Sequence, residues 1–297
     1  MPKYEDDPLW EHFAEIWTTV GSKFDAVVIG GYGLVLKRRW LIENQSNFRT
    51  IVQSSVWPVA RTTEDIDLVL GAEVILGTDY NREIRRVIDG FGWKESPNTN
   101  ARNWQFYKAT DGRSLKLEFQ APMPPPLGLE YREDRTHLKP AESMGSSGIH
   151  ARPNPEAIGA LLHPTTFSFT HEESTAITVR VPHPVNMVMM KLKAMEDRDK
   201  ASKDEKRSDR EREFCFQLAQ KHANDIALAV AMTQPEEAAT QTQLVQALGR
   251  QPAFLDAKRI ATEYFGGPAA WGHGATKTKW PADNHGQILS VLTSWFS

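Results

Sequence analysis

A chain of 297 residues with 40% hydrophobic content has enough apolar side chain for one large core or two ordinary ones. Its formal net charge of −3 gives no overall basic field, so nucleic-acid binding would need a local patch. The single cysteine, Cys215, excludes an internal disulfide and fits a reducing, cytoplasmic setting; no apolar run is long enough to span a bilayer, and Met1 to Pro8 does not read as a signal peptide.

Taken in order, Trp10, Phe13, Ile16, Trp17 and Val20 recur at helical spacing, which predicts an amphipathic helix over residues 8–20. Gly21 and Ser22 end it, and Phe24 to Ile29 follows as a buried strand. Gly30, Gly31, Tyr32 and Gly33 come next, with a helix predicted over Leu34 to Trp40. Glycines between a strand and a helix let the backbone pass close to a ligand, and exposed helix-start amides bind phosphate oxygens; a plain tight turn would use the same residues. A dinucleotide fingerprint is disfavoured, because the third glycine is missing.

Residues 42–58 lack a clean period and read as a loop or short-helix insertion. Then comes Arg61-Thr62-Thr63-Glu64-Asp65-Ile66-Asp67-Leu68-Val69-Leu70. In a strand, Asp65 and Asp67 point to one face and Ile66 and Leu68 to the other. Paired carboxylates on one face suit magnesium, which is held by one or two carboxylates together with substrate phosphates. Such pairs also occur on solvated edges, so the motif alone is weak.

A helix is expected through Tyr80, Ile84, Val87, Ile88 and Phe91, after a connection at residues 71–78. A hairpin follows, 103–109 and 114–120 about a turn at Asp111-Gly112. In its return strand Leu115, Leu117 and Phe119 point one way and Lys116, Glu118 and Gln120 the other. If this strand lies beside the Asp65 strand, three carboxylates meet.

Residues 122–155 are proline-rich, with Gly145-Ser146-Ser147-Gly148, and read as a long loop and boundary. Short strands are predicted at 167–169 and 176–181, then a helix after Pro182-His183-Pro184 with Val185, Val188, Met189, Leu192 and Met195 on one side. From Asp204 onward the pattern is helical, ending in a last helix over residues 288–296, and Cys215 reads as core packing. The stretch from Lys191 to Arg212 carries nine Lys or Arg against seven Asp or Glu, either a solvated ion-paired helix or a phosphate-facing surface. No His or Cys pair has zinc spacing, and there is no nucleophile elbow or P-loop.

The order of strand, Gly30-Gly31, helix, Thr63-Glu64-Asp65-Ile66-Asp67-Leu68, and later Glu118 resembles the DNA polymerase β-like nucleotidyltransferase superfamily. Within it the chain looks most like the AbiEii-type nucleotidyltransferases, toxins of type IV toxin-antitoxin and abortive-infection systems. Lys191-Leu192-Lys193-Ala194, Arg198 and Lys203-Asp204 resemble that group's lysine helix and basic-Asp pair. The resemblance covers about residues 24 to 210 and implies an α+β fold: a mixed sheet flanked by helices, then a mainly helical C-terminal region. It divides the chain into a catalytic core (1–121), a proline-rich loop with accessory strands (122–181) and a helical domain (182–297). It implies transfer of an NMP from an NTP to a hydroxyl acceptor, with pyrophosphate released. Asp65 and Asp67 would hold two Mg2+ ions, with Glu118 helping to hold the one that activates the attacking oxygen. Gly30, Gly31 and Thr63 would bind nucleotide, Lys191 would neutralise phosphate charge, and Asp204 would support it. The acceptor could be tRNA, a protein or an aminoglycoside-like small molecule, and an antitoxin protein is an expected partner. The Gly31 to Asp65 gap is longer than the family pattern, glutamate stands at 118 where aspartate is commoner, and Arg207 follows where a second aspartate is expected. These departures leave two rivals open: a catalytically degenerate nucleotide-binding module of the same fold, and a magnesium-dependent phosphotransferase.

Overall fold

Alternation of apolar and polar residues along two strands determines the layout of the N-terminal part, as seen in a computed structural model that describes residues 7–59, 63–110, 112–123, 138–139, 148–171 and 175–297. Arg61, Thr62, Asp111 and most of the proline-rich stretch, including Gly145-Ser146-Ser147, lie outside the described residues. Contacts divide the chain into two compact units, residues 1–40 with 61–182 and residues 41–60 with 183–297. The architecture is α+β, with a mixed sheet among the described residues.

In the first unit α1 (Trp10–Lys23) precedes β1 (Val27–Ile29), which runs without a loop into α2 (Gly30–Glu43). Next come β2 (Asp65–Val69), α3 (Ala72–Leu76), α4 (Thr78–Gly90), β3 (Lys94–Glu95), β4 (Gln105–Thr110), β5 (Arg113–Pro122) and β6 (Arg152–Asn154). The sheet order is β1-β2-β5-β4-β3, with β6 pairing β5. β1 is antiparallel to β2, β2 parallel to β5, and β4 antiparallel to β5. Ile66, Leu68, Leu115, Leu117 and Phe119 form a fully buried sheet face, packed with Phe106 of β4. That face fixes the register, because a one-residue slip would expose every one of these side chains. A hairpin of β7 (Thr165–His171) and β8 (Thr175–Val181) completes the unit; Trp17 of α1 donates its indole N–H to the Thr178 carbonyl at 2.7 Å.

The short helix α3 was expected as a connection. Its five residues bury Val74 and Ile75, too few for a helical period to show in sequence.

The second unit contains α5 (Pro184–Ser202), α6 (Asp209–Ala231), α7 (Pro235–Leu248), α8 (Pro252–Phe265), α9 (Trp271–Lys277) and α10 (Ala282–Trp295). Proline begins α5, α7 and α8, where its missing N–H is no loss. Ser208 and Glu211 form a capping box at the start of α6. The 41–60 segment joins this unit: the Ile51 and Val52 amides donate to the Thr233 and Ala231 carbonyls at 3.1 Å, satisfying groups left free at the end of α6. It was legible as an irregular insertion, not as the C-terminal finish of a helix nearly two hundred residues later.

Candidate nucleotide and metal site

The parallel pairing of β2 with β5 places Asp65 opposite Lys116 and Asp67 opposite Glu118. Paired strands lie about 4.8 Å apart, and side chains two residues apart share a face. Asp65, Asp67, Lys116 and Glu118 therefore form a square on the face opposite Ile66, Leu68, Leu115 and Leu117. The expectation that the hairpin would bring Glu118 beside the aspartate strand is met.

Glu118 is the most buried of these groups, 5% exposed. It is held from both sides: the Gln105 side-chain amide donates to Oε2 at 2.9 Å and that of Gln120 to Oε1 at 3.3 Å. Gln120 is oriented in turn by Asn154, whose Nδ2 donates to its Oε1 at 2.6 Å. A buried carboxylate needs such donors, and they fix its rotamer as well as satisfying it.

The ammonium of Lys116 lies 3.5 Å from Asp65 Oδ1 and 3.3 Å from Glu118 Oε2. Burial alone would push the Lys116 pKa down; the negative charges of Glu118, Asp65 and Asp67 overcome that and hold it above its ordinary value. Lys116 is thus a resident cation of the site.

On the other flank, Ile29 pairs with Asp67, and the next residue is Gly30 at φ 70°. A Cβ on Gly30 would fall 2.2 Å from Asp67 Oδ2, so only glycine lets the carboxylate close against the start of α2. The first turn of α2 carries no acidic residue that would neutralise its amides. The start of a helix attracts anions, and this one already adjoins the Asp67 carboxylate.

The donors suit magnesium. They are hard oxygens on rigid strands, and magnesium keeps water and substrate oxygens rather than demanding a full protein cage. Among the described residues no trio of His, Cys, Asp or Glu is drawn together as a ready-made cage.

Of the other sequence-predicted residues, Thr63 lies just before β2, its Oγ1 accepting a long hydrogen bond from the Asp65 amide at 3.4 Å. Gly31 is the second residue of α2. Lys191 belongs to the helical unit, where it is 5% exposed and donates to Asp225 Oδ2 at 2.7 Å. Asp204 follows α5, accepts from the Lys206 amide at 3.0 Å and pairs with Arg207 at 3.6 Å. Sequence reading assigned no role to Lys116, Gln105, Gln120 or Asn154. Strand alternation already put Lys116 and Gln120 on the Glu118 face; Gln105 and Asn154 needed the sheet order.

Comparison with models of protein families, with curated proteins and with solved structures finds no match for this chain. Among the described residues no helix is long and apolar enough to cross a membrane.

Proposed function

We propose that this protein is a magnesium-dependent nucleotidyltransferase of the AbiEii type, moving an NMP from an NTP onto a hydroxyl acceptor and releasing pyrophosphate. The observation that carries this reading is Asp67 in register with Glu118, with Asp65 on the same face and Gly30 closing α2 against Asp67. Magnesium, when bound, supplies charge neutralisation on the triphosphate and activation of the acceptor hydroxyl. Asp65 and Asp67 are its ligands in this reading. Glu118, locked by Gln105 and Gln120, would complete the carboxylate set on that face. The first-turn amides of α2 take phosphate oxygens. In-line phosphoryl chemistry asks mainly for positioning and charge, which a paired strand face and a helix start provide.

An RNA acceptor, tRNA above all, is supported by the charged stretch after Lys191, where Arg198, Lys200 and Lys203 are exposed. A protein hydroxyl is the next acceptor in line. The toxin role, with an antitoxin protein as partner, rests on the family resemblance of the Thr63 to Leu68 segment and of the Lys191 helix.

The test is incubation of the purified chain with NTPs labelled at the α-phosphate, magnesium, and total cell RNA or protein. Transfer of label by wild type and its loss in Asp65→Ala are expected; equal labelling by both would sink the proposal. Label transferred from the γ-phosphate instead would establish a phosphotransferase. The Lys116 ammonium between two carboxylates favours a second reading, a module that binds nucleotide without transferring it. NTP binding that is indifferent to magnesium, with no labelled acceptor, would establish that alternative.

A further inference from the structure

We infer that Lys116 stands in for the second cation of this site, so that the chain takes one divalent ion where the family pattern led us to expect two. The inference rests on the nucleotidyltransferase reading and deepens it.

Two-metal sites hold their ions roughly 3.5–4 Å apart, joined by shared carboxylates. In this chain the ground between Asp65 and Glu118 is already taken by the Lys116 ammonium, 3.5 Å from one and 3.3 Å from the other. Both are among the carboxylates that the acceptor-side ion would need. Asp67 is turned to the opposite flank, against Gly30 and the start of α2.

The placement of Lys116 is built into the sheet. Its neighbours Leu115 and Leu117 are fully buried, and β5 is paired on one side with β2 and on the other with β4. The strand cannot turn the lysine away without bringing both leucines out of the core. Only the stem of the side chain is free to move, and two carboxylates hold its tip.

A second divalent ion beside Asp65 and Glu118 would stand at contact distance from the Lys116 ammonium, a repulsion built in by the placement of the lysine. Lys116 is therefore a positioning residue: it keeps Asp65 and Glu118 together and leaves Asp67, beside the helix start, as the main anchor for the one ion.

The experiment is electron paramagnetic resonance of Mn2+ bound to the full chain, with the α,β-methylene analogues of the four common NTPs in separate samples. Ions at two-metal spacing couple magnetically, whereas a single ion does not. Wild type is expected to show one uncoupled ion per chain. Lys116→Met is expected to gain a second ion and a coupled signal, and Lys116→Gln, which keeps a polar tip, serves if the methionine variant folds poorly. A coupled pair in wild type would overturn the inference and leave the transferase reading standing, as would variants that still hold one ion. No protein-bound Mn2+ with any of the four analogues would overturn the inference together with the reading beneath it.

Discussion

Each unit contains a lysine set against carboxylates, and the two differ in their exposure. In the helical unit Lys191 donates to Asp225 at 2.7 Å, both side chains nearly inaccessible. In the sheet unit one ammonium, Lys116, faces Asp65 and Glu118, with Asp67 on the same strand face. A buried ion pair gives a core a fixed arrangement. A lysine and carboxylates on a half-open strand face stay within reach of solvent and of a further cation. The same pair of residue types therefore meets different surroundings in the two units, and the difference lies in access.

The comparison can be broken most directly at Lys191. Lys191→Met takes the ammonium away from the buried Asp225 carboxylate and should cost about 3–5 kcal/mol in chemical denaturation. The double variant Lys191→Met/Asp225→Leu should recover most of it; if it does not, the pair is more than a self-contained structural unit. Gly30→Ala acts on the other side. An alanine at φ 70° with Asp67 Oδ2 in its way should lose about 1–3 kcal/mol and, under the proposed function, most NTP-dependent labelling. Full labelling by that variant would show that the close approach of Asp67 to α2 is dispensable.

A smaller effect comes from acid. Glu196 is fully inaccessible; burial alone would raise its carboxyl, but hydrogen bonds from Lys200, Arg259 and Lys193 win and draw it from 4.5 down to about 2. A depressed folded-state value contributes stability that is complete above the unfolded value and fades as pH falls through the folded one. Denaturation midpoints should therefore decline from about pH 4.5 toward 2, and Glu196→Gln should be less stable at neutral pH with a flatter acid limb. The smallest change is Ser208→Ala, which removes half of a capping box on α6 and should cost about 1 kcal/mol of unfolding free energy.

Where the sequence was readable, one periodicity governed a whole element. The aromatic stripe of α1 and the alternation in β2 and β5 belong to strands and helices with a single buried face; alternation alone put Asp65 and Asp67 on one face of β2 and Glu118 on the polar face of β5, and the pairing of the two strands was needed to join them. Boundaries failed where glycine misleads. The helix after β1 was expected from Leu34 but begins at Gly30, because glycine is a poor helix former whose local signal is a turn. α9, Trp271–Lys277, carries two glycines in seven residues, too few positions for a helical period of its own to show. The cation between the carboxylates was out of reach for another reason. Lys116 was placed on the right face, but only the register of β2 against β5 sets it across from Asp65.

That register also sets what the site costs to assemble. Glu118 must return from about fifty residues beyond Asp67 to pair in parallel, and Ile29 and Gly30 approach from about forty residues before it, so both flanks of the site close sizeable loops. A chain emerging from synthesis holds Asp65 and Asp67 before it holds Glu118 and Lys116. The site depends on a long-range strand pairing, so its ability to bind a cation is a measure of whether β2 and β5 have paired.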